Sequence, residues 1–561
     1  MTSTFKQTAE ANFLWGHLVA RGLADLGVTS VFFSPGSRST PLIIGCEKEK
    51  RLSCFPALDE RTAAFLALGH AKRTNLPSAL ICTSGSALTH WFPAVTESSY
   101  AGVPMLLLSA DRPPELQECG AGQTINQLNL FGSFVREFYQ SPSPTLEQDH
   151  IHDMQKILET AYSKSVGLNS GPVHINFSFR EPLWPTVKPS PELFPFPSLA
   201  CKTLSTEHEY SESTDDLIAF TQASRPVVIA GLNVNSSLSE KFQNIPILCD
   251  SLCDLRETEH PARILRFENL LRCPNFTESV NPDQFIVLGP LPTSKTLRSW
   301  IEESGVPRLV IEPSERKVDP LLGTSHSIRL NFEQLDQLDL PKPEPGWLEK
   351  WTAAEQVVEE KIEQEFQKNS CEHEPKVARI LSEHLPIKSH FFCANSMPIR
   401  DLEWFWKPSK KKRRLFGARG VNGIDGTLGT AIGIAHQSDQ PTYLLTGELA
   451  FLHDSNALLF APELVGSLTV VLINNQGGGI FENLPVVNLP EFEKCFATPQ
   501  NCDFAKLCAA HSVEYLLLEE ETALISHISN PPPNGIRVIE IRTDRKLDRK
   551  IRQKLLSLKP Y

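Results

Sequence analysis

Short apolar runs rich in β-branched residues recur along the chain, each followed by a Gly- or Ser-containing turn and then a stretch of helical character. That alternation is the pattern of βα units and parallel sheets. It predicts strands at Ser30–Phe33, Ala79–Cys82, Pro104–Ser109 and Val173–Phe177 in the first third. In the middle third they fall at Val227–Ala230, Ile245–Leu248, Phe285–Leu288 and Leu309–Glu312, and in the last at Ser389–Cys393, Tyr443–Thr446, Leu468–Ile473 and Arg537–Ile541. The expected fold class is α/β, with three doubly wound parallel-sheet domains. Two proline-rich segments, Glu181 to Ser198 and Leu340 to Trp347, suit neither helix nor strand interiors and are the linker candidates.

Composition narrows the reading. With 561 residues, 41% hydrophobic and 21% charged, the chain has material for three or four cores. A formal charge of −12 gives no general attraction for nucleic acid or an anionic membrane. The N-terminal stretch reads as an amphipathic helix without signal-peptide features, and no apolar run is long enough to cross a bilayer, so a cytoplasmic location is expected. Thirteen cysteines show no CxxC pair, which suits reduced, mostly buried thiols. The basic run Lys407 to Arg414 reads as a solvated loop entering a strand rather than a polyanion site.

Candidate chemistry collects after strands, where ligands gather in open α/β sheets. Residues Ser34 to Ser39 (SPGSRS) follow the first strand and could hold an anion through backbone N–H groups and Arg38, or be an ordinary turn. Asp59-Glu60-Arg61 opens a helical stretch, where the dipole favours acids in any case. Thr83 to Ser86, Ser109 to Pro113 and Gly120 to Thr124 add small and polar strand ends. In the last third, Arg419 to Gly426 is dense in glycine, Glu448 follows one strand, and Asn475 and Gly477 follow the next, with Glu448 and Asn475 27 positions apart. A carboxylate, an amide oxygen and a glycine carbonyl at neighbouring strand ends make an oxygen-only ligand set suited to Mg²⁺ bridging a diphosphate.

The motifs SPGSRSTPL, DERTAAFLALGHAK, CTSGSALTHWFPAVTES, SADRPPEL, GAGQTINQ, GPVHINFSFREPL, GIDGT and INNQGGGIFENLP occur in order between about Val31 and Pro485. Together they resemble the 2-succinyl-5-enolpyruvyl-6-hydroxy-3-cyclohexene-1-carboxylate synthases, thiamine-diphosphate enzymes of menaquinone and phylloquinone biosynthesis. The resemblance implies a thiamine-diphosphate-binding fold with a pyrimidine-binding domain over 1–185, a transhydrogenase-like central domain over 200–340 and a diphosphate-binding domain over 370–561. It implies decarboxylation of 2-oxoglutarate and Stetter-like addition of the resulting succinyl carbanion to isochorismate. Thiamine diphosphate and Mg²⁺ or Mn²⁺ are the implied cofactors, and a homodimer or dimer of dimers the implied assembly, with no nucleic-acid partner and no membrane insertion.

By motif position the resemblance makes Glu60, Arg38 and Gln123 catalytic. It assigns the cofactor to Glu60, Ser396, Gly423, Ile424, Gly447, Leu449, Asn475 and Ile480, and the metal to Glu448, Asn475 and Gly477. Substrate contacts fall to Ser37, Arg38, Arg112, Gln123, Lys295, Ser396, Arg400, Arg419, Phe481 and Leu484. The sequence departs from the family pattern at Glu448, where Asp is usual, and at Gly122, Thr296 and His90. Two other readings stay open on the residues alone. One is a different thiamine-diphosphate carboligase or decarboxylase of the acetolactate-synthase kind; the other is a non-catalytic binding protein that keeps the fold.

Overall fold

The computed structural model describes residues 3–185, 199, 222–232, 234, 240–321, 323–332, 335, 339–368 and 373–561. Of the first linker candidate only residues 181–185 fall within that set. The second leads directly into the helix Trp347–Lys368. The N-terminal stretch is a helix, Ser3–Asp25.

Three six-stranded sheets form, and every strand pair in them is parallel. The first contains β1 (Ser30–Phe33), β2 (Ser53–Pro56), β3 (Ser78–Cys82), β4 (Met105–Asp111), β5 (Phe138–Gln140) and β6 (Pro172–Ser178). The second contains β7 (Pro226–Ala230), β8 (Ile247–Cys249), β9 (Arg263–Ile264), β10 (Gln284–Leu288), β11 (Arg308–Ile311) and β12 (Ser325–Ile328). The third contains β13 (His390–Cys393), β14 (Arg414–Gly417), β15 (Thr442–Gly447), β16 (Ser467–Asn474), β17 (Glu514–Leu518) and β18 (Gly535–Arg542).

The first and third sheets share one strand order, β2-β1-β3-β4-β6-β5 and β14-β13-β15-β16-β18-β17. The middle sheet, β12-β11-β10-β7-β8-β9, is wound differently, with the chain reversing between β7 and β10. The twelve apolar runs of the sequence are the four inner strands of each sheet. The six remaining strands are the two edges of every sheet, among them β14, which the basic run enters. Inner strands such as β3, β4 and β6 are buried along their whole length, whereas β2, β5 and β12 are half or fully exposed over most of theirs. Helices cover both faces of an inner strand and so demand a continuous apolar run; an edge strand has no such demand.

One apolar core joins the first and third units. At its centre the helix Glu60–Thr74 lies against the helix Thr427–Ala435 with almost nothing between the backbones. A Cβ placed on Gly69 would sit 2.0 Å from the Thr430 carbonyl oxygen, and one on Gly433 2.2 Å from that of Leu66. The basic run is consumed locally. Arg413 forms a buried pair with Glu257 at 2.8 Å, and Lys407 reaches Glu383 at 2.8 Å. Among the described residues all cysteines are free thiols, most of them buried.

Candidate functional site

β15 and β16 are adjacent, with Gly447 opposite Ile473, so the residues just beyond them, Glu448 and Asn475, emerge side by side. Glu448 is only 1% exposed, and Oε1 accepts the backbone N–H of Gly477 at 2.5 Å. Burial pushes its carboxyl up to about 7. Asn475 donates Nδ2 to the Glu374 carboxylate, while its Oδ1 is buried without a partner. Gly477 has φ +141°, and a Cβ there would meet the Ala497 carbonyl oxygen at 2.5 Å, so this turn requires glycine. Nothing lies within 4 Å of a Cβ on Gly447, which leaves open space beside the strand end.

An unpaired amide oxygen, a desolvated carboxylate and a nearby glycine carbonyl are what a hard divalent cation neutralises and completes. Among the described residues no group of three or more His, Cys, Asp or Glu could hold a metal, so a cation at this site would also need the amide and backbone oxygens.

Around this point the glycine-rich loop is tied down from two sides. Asn395 Nδ2 donates to the carbonyls of Ala418 and Gly423, at 2.8 and 2.6 Å. Glu97, from the first unit, accepts the N–H groups of Gly420 and Val421 at 3.0 and 2.8 Å. Ile424, Leu449, Ile480, Phe481 and Leu484 are half-buried and present apolar surface outside the core.

A cavity of about 710 Å³ opens between the middle sheet and the third. Lys295, Arg400, Ile480 and Leu484 line it, with Thr293 and Arg272. Lys295 begins the helix that follows β10, at the point where the chain reverses in the middle sheet. Arg400 donates to the Ser396 carbonyl at 2.5 Å, and Ser396 itself has φ +72° and ψ −124°, a strained conformation for serine. Arg419 donates to Asn395 Oδ1 and Thr293 Oγ1, each at 2.6 Å. Burial lowers the pKa of both arginines.

Arg272, Glu268 and Glu403 line the same cavity and carry no motif in the sequence. Glu268 gathers Arg272 Nη2 and the Thr296 hydroxyl, both at 2.7 Å, so Thr296 serves as a hydrogen-bond donor here. Both Glu403 oxygens are buried without a partner. Burial, then Asp250 and Glu268, push this carboxyl up to about 8.

The remaining candidates sit on the first sheet. Arg38 donates to the Phe179 carbonyl and to Glu181, both at 2.9 Å. Arg112 reaches Ser84 Oγ at 2.6 Å, and Gln123, at φ +58°, donates to the Ser84 carbonyl at 3.0 Å. Arg38 has its pKa lowered by burial and then by Arg112. Ser37 lies in the same loop after β1. Glu60 is half-buried at the first position of its helix. Asp59 caps that helix by accepting the N–H groups of Arg61 and Thr62, and also accepts Asn456 Nδ2 at 3.0 Å. Gly122 is in open space and His90 is exposed. Within one chain the candidates therefore form two groups. Ser37, Arg38, Arg112 and Gln123, with Glu60, are on the first unit, and the rest are on the middle and third units.

Residues 15–130 match the family model for the thiamine pyrophosphate enzyme N-terminal TPP binding domain, and residues 403–530 match the C-terminal TPP binding domain. The chain is 40% identical to the 2-succinyl-5-enolpyruvyl-6-hydroxy-3-cyclohexene-1-carboxylate synthase of Synechococcus elongatus, over 97% of this chain and 96% of that one. It is 36% identical to the enzyme of the same name from Trichodesmium erythraeum, over 96% of each chain. Among solved structures it is similar to benzoylformate decarboxylase from Polynucleobacter necessarius, with a TM-score of 0.69 and 15% identity. That alignment covers 94% of this chain and 98% of that one, a likeness of fold alone.

Proposed function

Since the chain belongs to the 2-succinyl-5-enolpyruvyl-6-hydroxy-3-cyclohexene-1-carboxylate synthase family, we propose that it decarboxylates 2-oxoglutarate and adds the succinyl unit to isochorismate in menaquinone or phylloquinone biosynthesis. It does so as a thiamine-diphosphate-dependent transferase. The observation that carries this reading is the unpaired Asn475 Oδ1 beside the desolvated Glu448 at adjacent strand ends. These two oxygens and the Gly477 carbonyl would hold Mg²⁺ or Mn²⁺ against the cofactor diphosphate. Glu448 keeps the charge that the more usual Asp carries, one methylene further from the backbone.

Bound thiamine diphosphate supplies the nucleophilic thiazolium carbon and the electron sink for decarboxylation. The residues supply position and charge. Glu60 would share a proton with the aminopyrimidine ring nitrogen. Gly423, Ile424, Gly447, Leu449, Ser396 and Ile480 would line the cofactor beside the cation. Lys295, Arg400 and Arg419, with Ser396, would bind substrate carboxylates, aided by Ser37, Arg38, Arg112 and Gln123. Phe481 and Leu484 would exclude water from the apolar side of the substrate.

The division of the candidates into two groups supports a homodimer, or a dimer of dimers, in which the first unit of one subunit meets the third unit of its partner. The domains of this reading are the pyrimidine-binding residues 1–185, the central 200–340 and the diphosphate-binding 370–561. Its setting is the cytoplasm, on the composition. Among the described residues no helix is long and apolar enough to cross a membrane.

Incubation with isochorismate, 2-oxoglutarate, thiamine diphosphate and Mg²⁺ tests the reading by following loss of isochorismate. Glu60→Gln is expected to lower turnover by ~10²–10⁴-fold while cofactor binding, read by calorimetry, persists. Unchanged turnover in that variant refutes the assigned role, and turnover of pyruvate in place of 2-oxoglutarate refutes the substrate assignment.

A further inference from the structure

Behind the strand ends of the third sheet lies a buried cluster that the proposed reaction does not use. Glu374, Asp401, Asp548 and Arg552 are each 5% exposed or less. Arg552 grips Asp401 through two bonds of 2.7 Å each and also donates to Glu374 Oε2. The Glu374 backbone N–H donates to Asp548 Oδ1 at 3.1 Å, and Glu374 Oε1 accepts Asn475 Nδ2. Three carboxylates around one guanidinium exceed what an ion pair needs, and a buried acid in excess is costly. Arg552 and Asp401 already form a complete bidentate pair, and Glu374 accepts a further N–H from the same Nη2.

What Glu374 does add concerns the side-chain amide of Asn475. An amide has a donor end and an acceptor end on one planar group, and rotation by 180° exchanges them. A carboxylate can only accept. With Glu374 on one side, Asn475 must turn its NH₂ toward it, which leaves Oδ1 at the other end of the amide, buried and unpaired. The helix that carries Arg552, Arg545–Leu556, also reaches the far end of the same loop, where Arg545 donates to the Gln476 carbonyl and to Glu482, both at 2.8 Å.

We propose that Glu374, held by Arg552 of the C-terminal helix, is a positioning residue that sets the orientation of the Asn475 amide and thereby presents its oxygen to the divalent cation. The inference rests on the cofactor and metal reading above. Outer partners of this kind alter metal affinity by roughly 10–100-fold when removed.

Mn²⁺ provides the test, titrated by electron paramagnetic resonance into full-length protein saturated with thiamine diphosphate. Glu374→Gln offers Asn475 and Arg552 one carbonyl oxygen between them. Glu374→Asp keeps the charge opposite Arg552 but retracts from the amide. Both are expected to weaken Mn²⁺ binding by ~10–100-fold, with the unfolding midpoint of the metal-free protein unchanged. Turnover is expected to return at high Mn²⁺ without a change in KM for either substrate. If Glu374→Gln fails to fold, Glu374→Asp decides. Wild-type affinity in a folded variant overturns the inference, as does loss of fold in both variants, which would make Glu374 purely structural. A wild-type protein that binds no Mn²⁺ in the presence of thiamine diphosphate overturns the functional reading itself.

Discussion

Substituting alanine for Gly433 sets two physical effects against each other with opposite signs. In an exposed helix the change stabilises by ~1 kcal/mol through helix propensity. Here the added Cβ would lie 2.2 Å from the Leu66 carbonyl oxygen, 2.9 Å from its carbon and 3.0 Å from its Cα. Ordinary contact is ~3.5 Å, so the helix Glu60–Thr74 must retreat by ~1 Å, and no flexible side chain is available to absorb the strain. Overpacking of this kind costs ~1–3 kcal/mol, and a clash against main chain belongs at the upper end, for a net loss of ~2 kcal/mol. Glu60 is the first residue of the displaced helix, so in the proposed reaction the same shift would move the carboxylate assigned to the cofactor, and a 1 Å misplacement can cost ~10²-fold in rate. Urea unfolding and turnover at saturating cofactor check both consequences. A Gly433→Ala protein that is more stable than wild type and fully active refutes the packing argument.

Two further outcomes follow from buried charges. Burial pushes the Asp454 carboxyl up to about 7, with Oδ2 accepting the Gly429 N–H and Oδ1 unpaired. The folded state therefore binds this proton more tightly than the unfolded chain. Stability is complete below the unfolded value near ~4 and declines as pH rises through 7. Asp454→Asn removes this titration and is expected to be the more stable protein at pH 8, by at most ~4 kcal/mol, with the gap closing toward pH 4. Urea midpoints across that range check it, and a variant less stable than wild type at pH 8 contradicts it. In the basic run, Arg413→Ala leaves the Glu257 carboxylate buried without its cationic partner, keeping only the neutral donors Trp406 and Ser409, and should cost ~3–5 kcal/mol. Lys410→Ala, at an exposed pair with Glu259, should cost ~0–1 kcal/mol. Equal unfolding midpoints for these two variants would show that the run is solvated throughout.

What could be read in the chain alone was whatever has a local cause. Inner strands such as β4 and β16 are buried along nearly their whole length because helices cover both faces, so their apolar runs stand out in the sequence. Edge strands such as β2 and β12 face solvent, carry mixed residues and escape notice. Strand-end motifs were equally visible, because the glycine turn at Gly477 and the proposed metal ligands Glu448 and Asn475 each stand just after an apolar run. Thr296 could be seen as a departure but not as the donor to Glu268 that the fold makes it.

Distant pairings had no local signature. Glu374 lies 101 residues from Asn475 and 178 from Arg552, and each reads as an ordinary surface-type residue until the sheet brings the three together. The same holds for Gly69 and Gly433, whose need for glycine comes from a neighbour hundreds of residues away. Local periodicity and turn chemistry thus determined the fold class, the inner strands and the cofactor motifs. Which end of the Asn475 amide is left unpaired, which cationic side chains share a cavity and how closely two helices approach were decided only by tertiary packing, because those depend on geometry between elements that sequence distance does not encode.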